Sequence, residues 1–149
     1  MEMKIFFYRA DLKSFEKAET QKGGLAAFSV GLKSGYGTPD HLFDNLERNL
    51  HKVQSINSSS EITPFRFASI FDYTSTFLSF YFYDGSLDYP PCSESVSWFI
   101  VDYVDAITDN LIRGFRNIKL AEGDVSNVRP PQALNKRQVK NVFVHDGKK

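Results

Sequence analysis

The chain has 149 residues, 42% of them apolar and 15% aromatic, with 18 basic and 18 acidic side chains and a formal net charge of zero. That size suits one domain able to bury a core, and a Phe- and Tyr-rich composition leans toward strands. Nothing in the balanced charge suggests a nucleic-acid surface, and no apolar run is long enough for a membrane span.

Met1 to Tyr8 alternates as a strand, with Glu2, Lys4, Phe6 and Tyr8 on one face and Met3, Ile5 and Phe7 on the other. A lysine among apolar neighbours fits an edge strand. The chain opens directly on this strand with no export signal, so an N-terminal part is expected to be missing. Arg9 to Gly24 reads as a polar connection anchored by Phe15 and Ala18, with a turn at Gly23-Gly24. Leu25 to Leu32 is an apolar run that suits a strand buried on both faces.

After a loop at Gly35 to Gly37, Thr38-Pro39 opens a helix: threonine caps, proline starts the first turn, and Asp40 sits near the positive end. Leu42, Leu46, Leu50 and Val53 form its apolar stripe, widened by Phe43. His41 and His51 are ten residues apart on this helix. Ten residues turn through about 1000°, roughly 80° out of alignment, so the pair cannot share a metal as i, i+4 ligands do. The remaining histidine, His145, is near the C-terminus.

Ser55 to Thr63 is a polar loop that contains the glycosylation triplet Asn57-Ser58-Ser59. Pro64 to Phe71 reads as a turn or short helix. Phe77 to Tyr83 carries five aromatics and reads as a buried strand. Asp84-Gly85 signals a turn, and Pro90-Pro91 stops any ladder from running through; an X-Pro bond there can be cis. Ser93 to Val101 is the next strand. Thr108 caps a second helix with Leu111, Phe115 and Ile118 on its apolar face. Glu122 to Ser126 is a loop, Val139 to Val144 a last strand, and 145–149 a charged tail. Cys92 is the only cysteine, so it has no intramolecular disulfide partner. It reads equally as a small buried thiol.

Three blocks carry a family resemblance. The stretch Tyr83 to Trp98 resembles the Tyr-x-Gly-Ser-Leu-Thr-Thr-Pro-Pro-Cys-x-Glu-x-Val-x-Trp signature of the alpha-class carbonic anhydrases. Glu2 to Tyr8 resembles the family strand Glu-x-His-x-x-x-(Trp/Tyr), and is most similar to the version in the carbonic anhydrase-like ectodomains of receptor-type tyrosine phosphatases gamma and zeta. Asn127 to Val139 resembles the family's closing Asn-x-Arg-Pro-x-Gln-x-Leu-x-x-Arg segment.

The resemblance implies a mainly β fold with short helices (α+β). The chain, 1–149, would be a partial carbonic anhydrase-like domain, the C-terminal half of a large twisted, mostly antiparallel sheet whose N-terminal strands are missing. It also implies roles. The third zinc histidine of the family is Lys4 here, and its supporting glutamate is Glu2. The threonine that receives the hydroxide proton is Asp88, and the next threonine is Tyr89. The pocket wall would be Phe6, Ala27, Leu87, Val96 and Trp98, positions that ordinary core packing explains as well. Pro90, Pro91, Cys92, Arg129, Gln132 and Arg137 would be structural, the last three tying loops to the sheet. Cys92 would find its partner cysteine in the absent part.

Zinc must bring bound water to a pKa near 7, and an ammonium has no lone pair to offer it. Freeing the lysine pair at neutral pH costs about 4–5 kcal/mol from its reference pKa. The reading therefore leans against an enzyme, with no catalytic residue and no metal or other cofactor, and expects Lys4 to pair with Asp88. The resemblance implies an inactive, protein-binding module of an extracellular or membrane-tethered parent, its partner a protein of the cell-adhesion class whose identity does not carry over from the phosphatase ectodomains. Asn57 is the glycosylation candidate. The alternatives are a fragment of a zinc-dependent carbonic anhydrase and a truncated product without independent function.

Overall fold

The computed structural model describes residues 1–36, 41–65, 77–121, 124 and 126–145. These form β1 (Glu2–Tyr8), a 3-10 turn (Ala10–Leu12), α1 (Phe15–Glu19) and β2 (Leu25–Ser34). There follow α2 (His41–Asn49), a second 3-10 turn (Leu50–Val53), β3 (Phe77–Gly85), β4 (Val96–Ile107), α3 (Asp109–Arg116) and β5 (Lys140–His145). The strands make one five-stranded sheet in the order β1-β2-β4-β3-β5. β1 runs antiparallel to β2, and β3 antiparallel to both β4 and β5. The mainly β architecture with short helices is the one expected.

The chain groups into two compact units, one of residues 1, 32–75 and 105–127, the other of 2–31, 76–104 and 128–149. In the first, Thr108 caps α3: its hydroxyl accepts from the Leu111 N–H at 3.1 Å and donates to Glu47 on α2 at 2.6 Å. Phe43, Leu50, Ile107 and Leu111 are buried there. In the second, Ala18, Leu25, Ala27, Leu87, Val96 and Trp98 form one buried cluster, with Phe6, Phe15, Tyr83 and Ile100 packed against it.

Several local readings change. The connection after β1 holds an unexpected helix: Ser14 caps α1, accepting from the Lys17 N–H at 3.3 Å, while Ala18 anchors the segment fully buried, as expected. Gly24 closes this segment, because a Cβ there would lie 2.1 Å from the Ala18 carbonyl oxygen. Asp84-Gly85 is not a turn. Both residues pair with β4, Asp84 against Ser97 and Gly85 against Val96, and the Ser97 hydroxyl donates to Asp84 at 2.8 Å. The turn chemistry of that dipeptide yields to the cross-strand ladder, which gives its backbone groups partners.

β4 begins at Val96 rather than Ser93 and continues to Ile107. The expected single helix through Val53 passes into a 3-10 turn at Leu50. Asn49 at the junction spends its side-chain N–H on the Asn45 carbonyl at 2.8 Å, a local bond that competes with the helix ladder. The Thr38-Pro39 cap, residues 66–71 of the Pro64 segment, and 146–149 of the tail lie outside the described residues.

Candidate functional site

The site is built in the second unit from β1, β2, the loop 86–95 and the start of β4. Alternation on β1 puts Glu2, Lys4 and Phe6 on one face, and the register sets them opposite Gly31, Ser29 and Ala27. The loop is held close by several bonds. Leu87 N–H donates to Ser93 O at 2.9 Å, Cys92 N–H to Tyr89 O at 2.9 Å, and Leu25 N–H on β2 to Ser95 O at 3.0 Å. Trp98 Nε1 donates to Ser86 O at 3.0 Å. The Pro90-Pro91 peptide is cis, and Cys92 takes a left-handed φ of 60°.

The loop thereby delivers Asp88 to Lys4. Lys4 Nζ donates to Asp88 Oδ2 in a short charged hydrogen bond and lies 3.2 Å from Glu2 Oε2. Glu2 in turn accepts from the Ser29 hydroxyl, which is 1% exposed. The lysine and aspartate side chains are each 27% exposed, so the pair is partly shielded from water. Burial pulls the Lys4 pKa down, but the hydrogen bonds and charges of Asp88 and Glu2 outweigh it and leave the pKa raised above 10.5. Asp88 Oδ1 is buried with no partner among the described residues.

Of the other singled-out positions, Phe6 packs edge-on to Trp98 at 5.7 Å and to Tyr89 at 6.2 Å. Ala27, Leu87, Val96 and Trp98 belong to the buried cluster. A cavity of about 330 Å³ is lined by Lys4, Asp88, Tyr83, Trp98, Arg129 and Arg137, among others. Trp98 lines it, whereas Phe6, Ala27, Leu87 and Val96 do not. Tyr89 is 40% exposed and does not line this cavity. Burial raises its phenol pKa, with the charges of Glu19 and Asp88 acting in the same direction.

The closing segment divides. Arg129 Nη1 donates to Ser86 Oγ and to Leu87 O, each at 2.8 Å, and so ties the segment to the Asp88 loop. Gln132 and Arg137 do not reach the loop with the hydrogen bonds they make. Gln132 donates to Pro130 O at 2.8 Å, and Arg137 to Leu134 O at 2.9 Å and Ala133 O at 2.6 Å. Residues 127–139 form no strand, so carbonyls left without ladder partners draw these donors inward. Cys92 is half-buried and free. Asn57 is exposed in a turn with φ 61°. His51 is exposed, and the side chains of His41 and His145 lie outside the description.

Sequence reasoning overlooked Ser29 and Tyr83. Ser29 could have been found as the cross-strand neighbour of Lys4, had the β1–β2 register been known. Tyr83 stacks on Trp98 at 6.4 Å, and burial raises its phenol pKa against the lowering charge of Arg137.

As a metal site the donor set fits poorly. The central group is a protonated amine whose hydrogens already serve two carboxylates. Among the described residues no group of three or more His, Cys, Asp or Glu side chains could hold an ion. No described helix is long and apolar enough to cross a membrane.

Comparison with known proteins agrees with the fold. The model of the eukaryotic-type carbonic anhydrases matches residues 1–143. A Caenorhabditis elegans protein named as a carbonic anhydrase is 30% identical over 129 residues, 85% of this chain and 41% of that protein. The mitochondrial carbonic anhydrase 5B of Rattus norvegicus is 31% identical over 140 residues, 90% of this chain and 43% of that protein. The chain thus spans about two fifths of the length of these curated relatives. This chain belongs to the eukaryotic-type carbonic anhydrase family.

Proposed function

We propose that the chain is a carbonic anhydrase-family module without carbon dioxide hydration, used for binding another protein. The observation that carries this reading is the ammonium of Lys4 held between Asp88 and Glu2. In the family's arrangement an imidazole would offer a lone pair to zinc at that position. Here a cation repels a dication, and its raised pKa makes deprotonation harder than the reference value implies. Asp88 is engaged by Lys4 and not available as the hydroxyl relay. Glu2 orients the lysine instead of a metal ligand.

By resemblance, the other two zinc histidines of the family belong to a strand outside the part that this chain matches. The chain is then a C-terminal portion of the domain, and a longer form would decide the metal question. The receptor-type phosphatase ectodomains, whose strand segment Glu2 to Tyr8 is similar and also lacks this histidine, provide the adhesion reading. It carries with it an extracellular or membrane-tethered parent, a protein partner, and glycosylation at Asn57.

The test is metal content by mass spectrometry and stopped-flow carbon dioxide hydration, run on this chain and on a form extended at its N-terminus. The expected results are no stoichiometric zinc and hydration at the background rate. One zinc per chain with hydration well above background would overturn the reading. It would favour the second one, a portion of a zinc carbonic anhydrase, which the names of both relatives favour. Lys4→His in the extended form separates the two: zinc uptake gained only by that variant shows that the lysine is what closes the site.

A further inference from the structure

We infer that the junction of the two helical segments in the first unit is a docking surface for an acidic segment of a protein partner. The inference rests on the protein-binding reading and names the chemistry of what is bound. Two stretches build the surface. Arg48 to Ser60 holds Arg48, His51 and Lys52 without one Asp or Glu, and Asn110 to Ala121 holds Arg113, Arg116 and Lys119 without one. Neither is a basic run on its own, and the fold joins them. Lys119 N–H donates to Gln54 O at 2.9 Å, and Gly114 of α3 packs so close to Leu50 that a Cβ there would meet Leu50 Cδ1 at 2.8 Å. Both stretches belong to one compact unit.

Leu50 is 5% exposed and Leu111 1%, so the apolar side of the junction is turned inward. The basic side chains are all exposed. Lys52 Nζ donates to Asn49 Oδ1 at 2.8 Å and Arg113 Nη2 to Asn110 Oδ1 at 2.6 Å. Those acceptors are neutral amides and leave the charge standing. Among the described residues the ion pairs are those of Lys4 with Glu2 and Asp88 and of Arg9 with Asp11, so none of these cations has a carboxylate partner there. Asp44, one turn before Arg48 on α2, forms no ion pair with it. The carbonyl ends of the two helices carry roughly half a negative charge each, about one unit against five lysines and arginines.

A chain of zero net charge thus gathers uncompensated positive charge at one place, and the ligand that fits it is anionic. Its neighbours narrow the class. Ile56, two residues beyond Gln54, is 51% exposed, and neither stretch exposes an aromatic side chain. Without an aromatic platform for bases the surface does not suit single-stranded nucleic acid. A sulfated polysaccharide would leave the isoleucine without an apolar partner. A protein segment that carries both carboxylates and an apolar side chain satisfies both features, with the arginine forks taking the carboxylates.

The experiment is fluorescence anisotropy of a labelled peptide of repeated Glu with two central Leu, against the same peptide with Gln for Glu. It is run on this chain and on a form extended at its N-terminus. Both forms should bind the Glu peptide, release it as salt rises, and leave the Gln peptide free. Lys52→Glu with Lys119→Glu should weaken binding roughly tenfold, since two favourable charge contacts become repulsive. Lys13→Glu with Lys33→Glu makes the same charge change at exposed lysines outside the patch and should leave binding unaltered. Lys52→Gln with Lys119→Gln should weaken it by less, at an unchanged urea midpoint, which separates lost charge from lost fold. Equal affinity for the two peptides overturns the proposal. So does an equal loss in the two charge-reversed pairs, or tighter binding of a heparin oligosaccharide or of single-stranded DNA than of the Glu peptide. Loss of binding in the extended form also overturns it, because the patch would then be covered. Failure of the protein-binding reading would show instead as zinc and hydration, so the two failures are told apart.

Discussion

At the residue scale, Lys4 links the charge balance of the site to pH. Its folded pKa is raised above 10.5 although burial alone would lower it. The stability it adds is therefore fully present below the unfolded value and is lost as pH rises through the folded pKa. Lys4→Met should unfold at lower urea than the parent at pH 7, and the gap should shrink as pH climbs beyond 10.5. Equal gaps at pH 7 and above pH 11 would mean that the lysine matters for packing and not for charge. The pairing with Asp88 was legible in the sequence. Strand alternation fixes the face of Lys4, and the family signature fixes the loop that carries Asp88. The bond from Ser29 to Glu2 was not, because it depends on register between two strands, and nothing local to either strand sets that offset.

At the scale of elements, a helix cap and a loop tie hold the fold. Thr108 was readable as a helix cap from its own chemistry, but its second bond, to Glu47, joins α3 to α2 and is tertiary. Thr108→Ala should therefore cost about 1–2 kcal/mol by urea denaturation, at the upper end for an N-cap. Thr108→Ser should recover most of it. Arg129 holds the Asp88 loop by a charged bond to the Leu87 carbonyl. Arg129→Met would leave that acceptor without its donor beside a fully buried Leu87 side chain, at a cost of roughly 2–3 kcal/mol. The same substitution at Arg137, whose described bonds stay within its own segment, should cost less. Sequence alone gave these two arginines one role. What separates them is the path of residues 127–139, an irregular stretch in which no periodicity announces which donor reaches the loop.

At the scale of the whole molecule, the sheet is the quantity most exposed to test. Its strands were largely legible, since alternation marks β1, a continuous apolar run β2 and an aromatic run β3. Its order was not, because β2 neighbours β4 across more than sixty residues of intervening chain. Among the described residues that order leaves β1 at an edge, and an edge strand has two classes of amide. Those of Met3, Ile5 and Phe7 are bonded to β2 and should exchange slowly at any protein concentration. Those of Lys4, Phe6 and Tyr8 face away from β2. In a monomer they should exchange within the dead time of a mixing experiment. In a form extended at its N-terminus that lays a further strand beside β1, their protection should rise, while the first class stays constant. Hydrogen exchange measured on this chain and on the extended form thus reads the edge directly. Equal protection of both classes at high dilution would mean that β1 already has a second neighbour within its own chain.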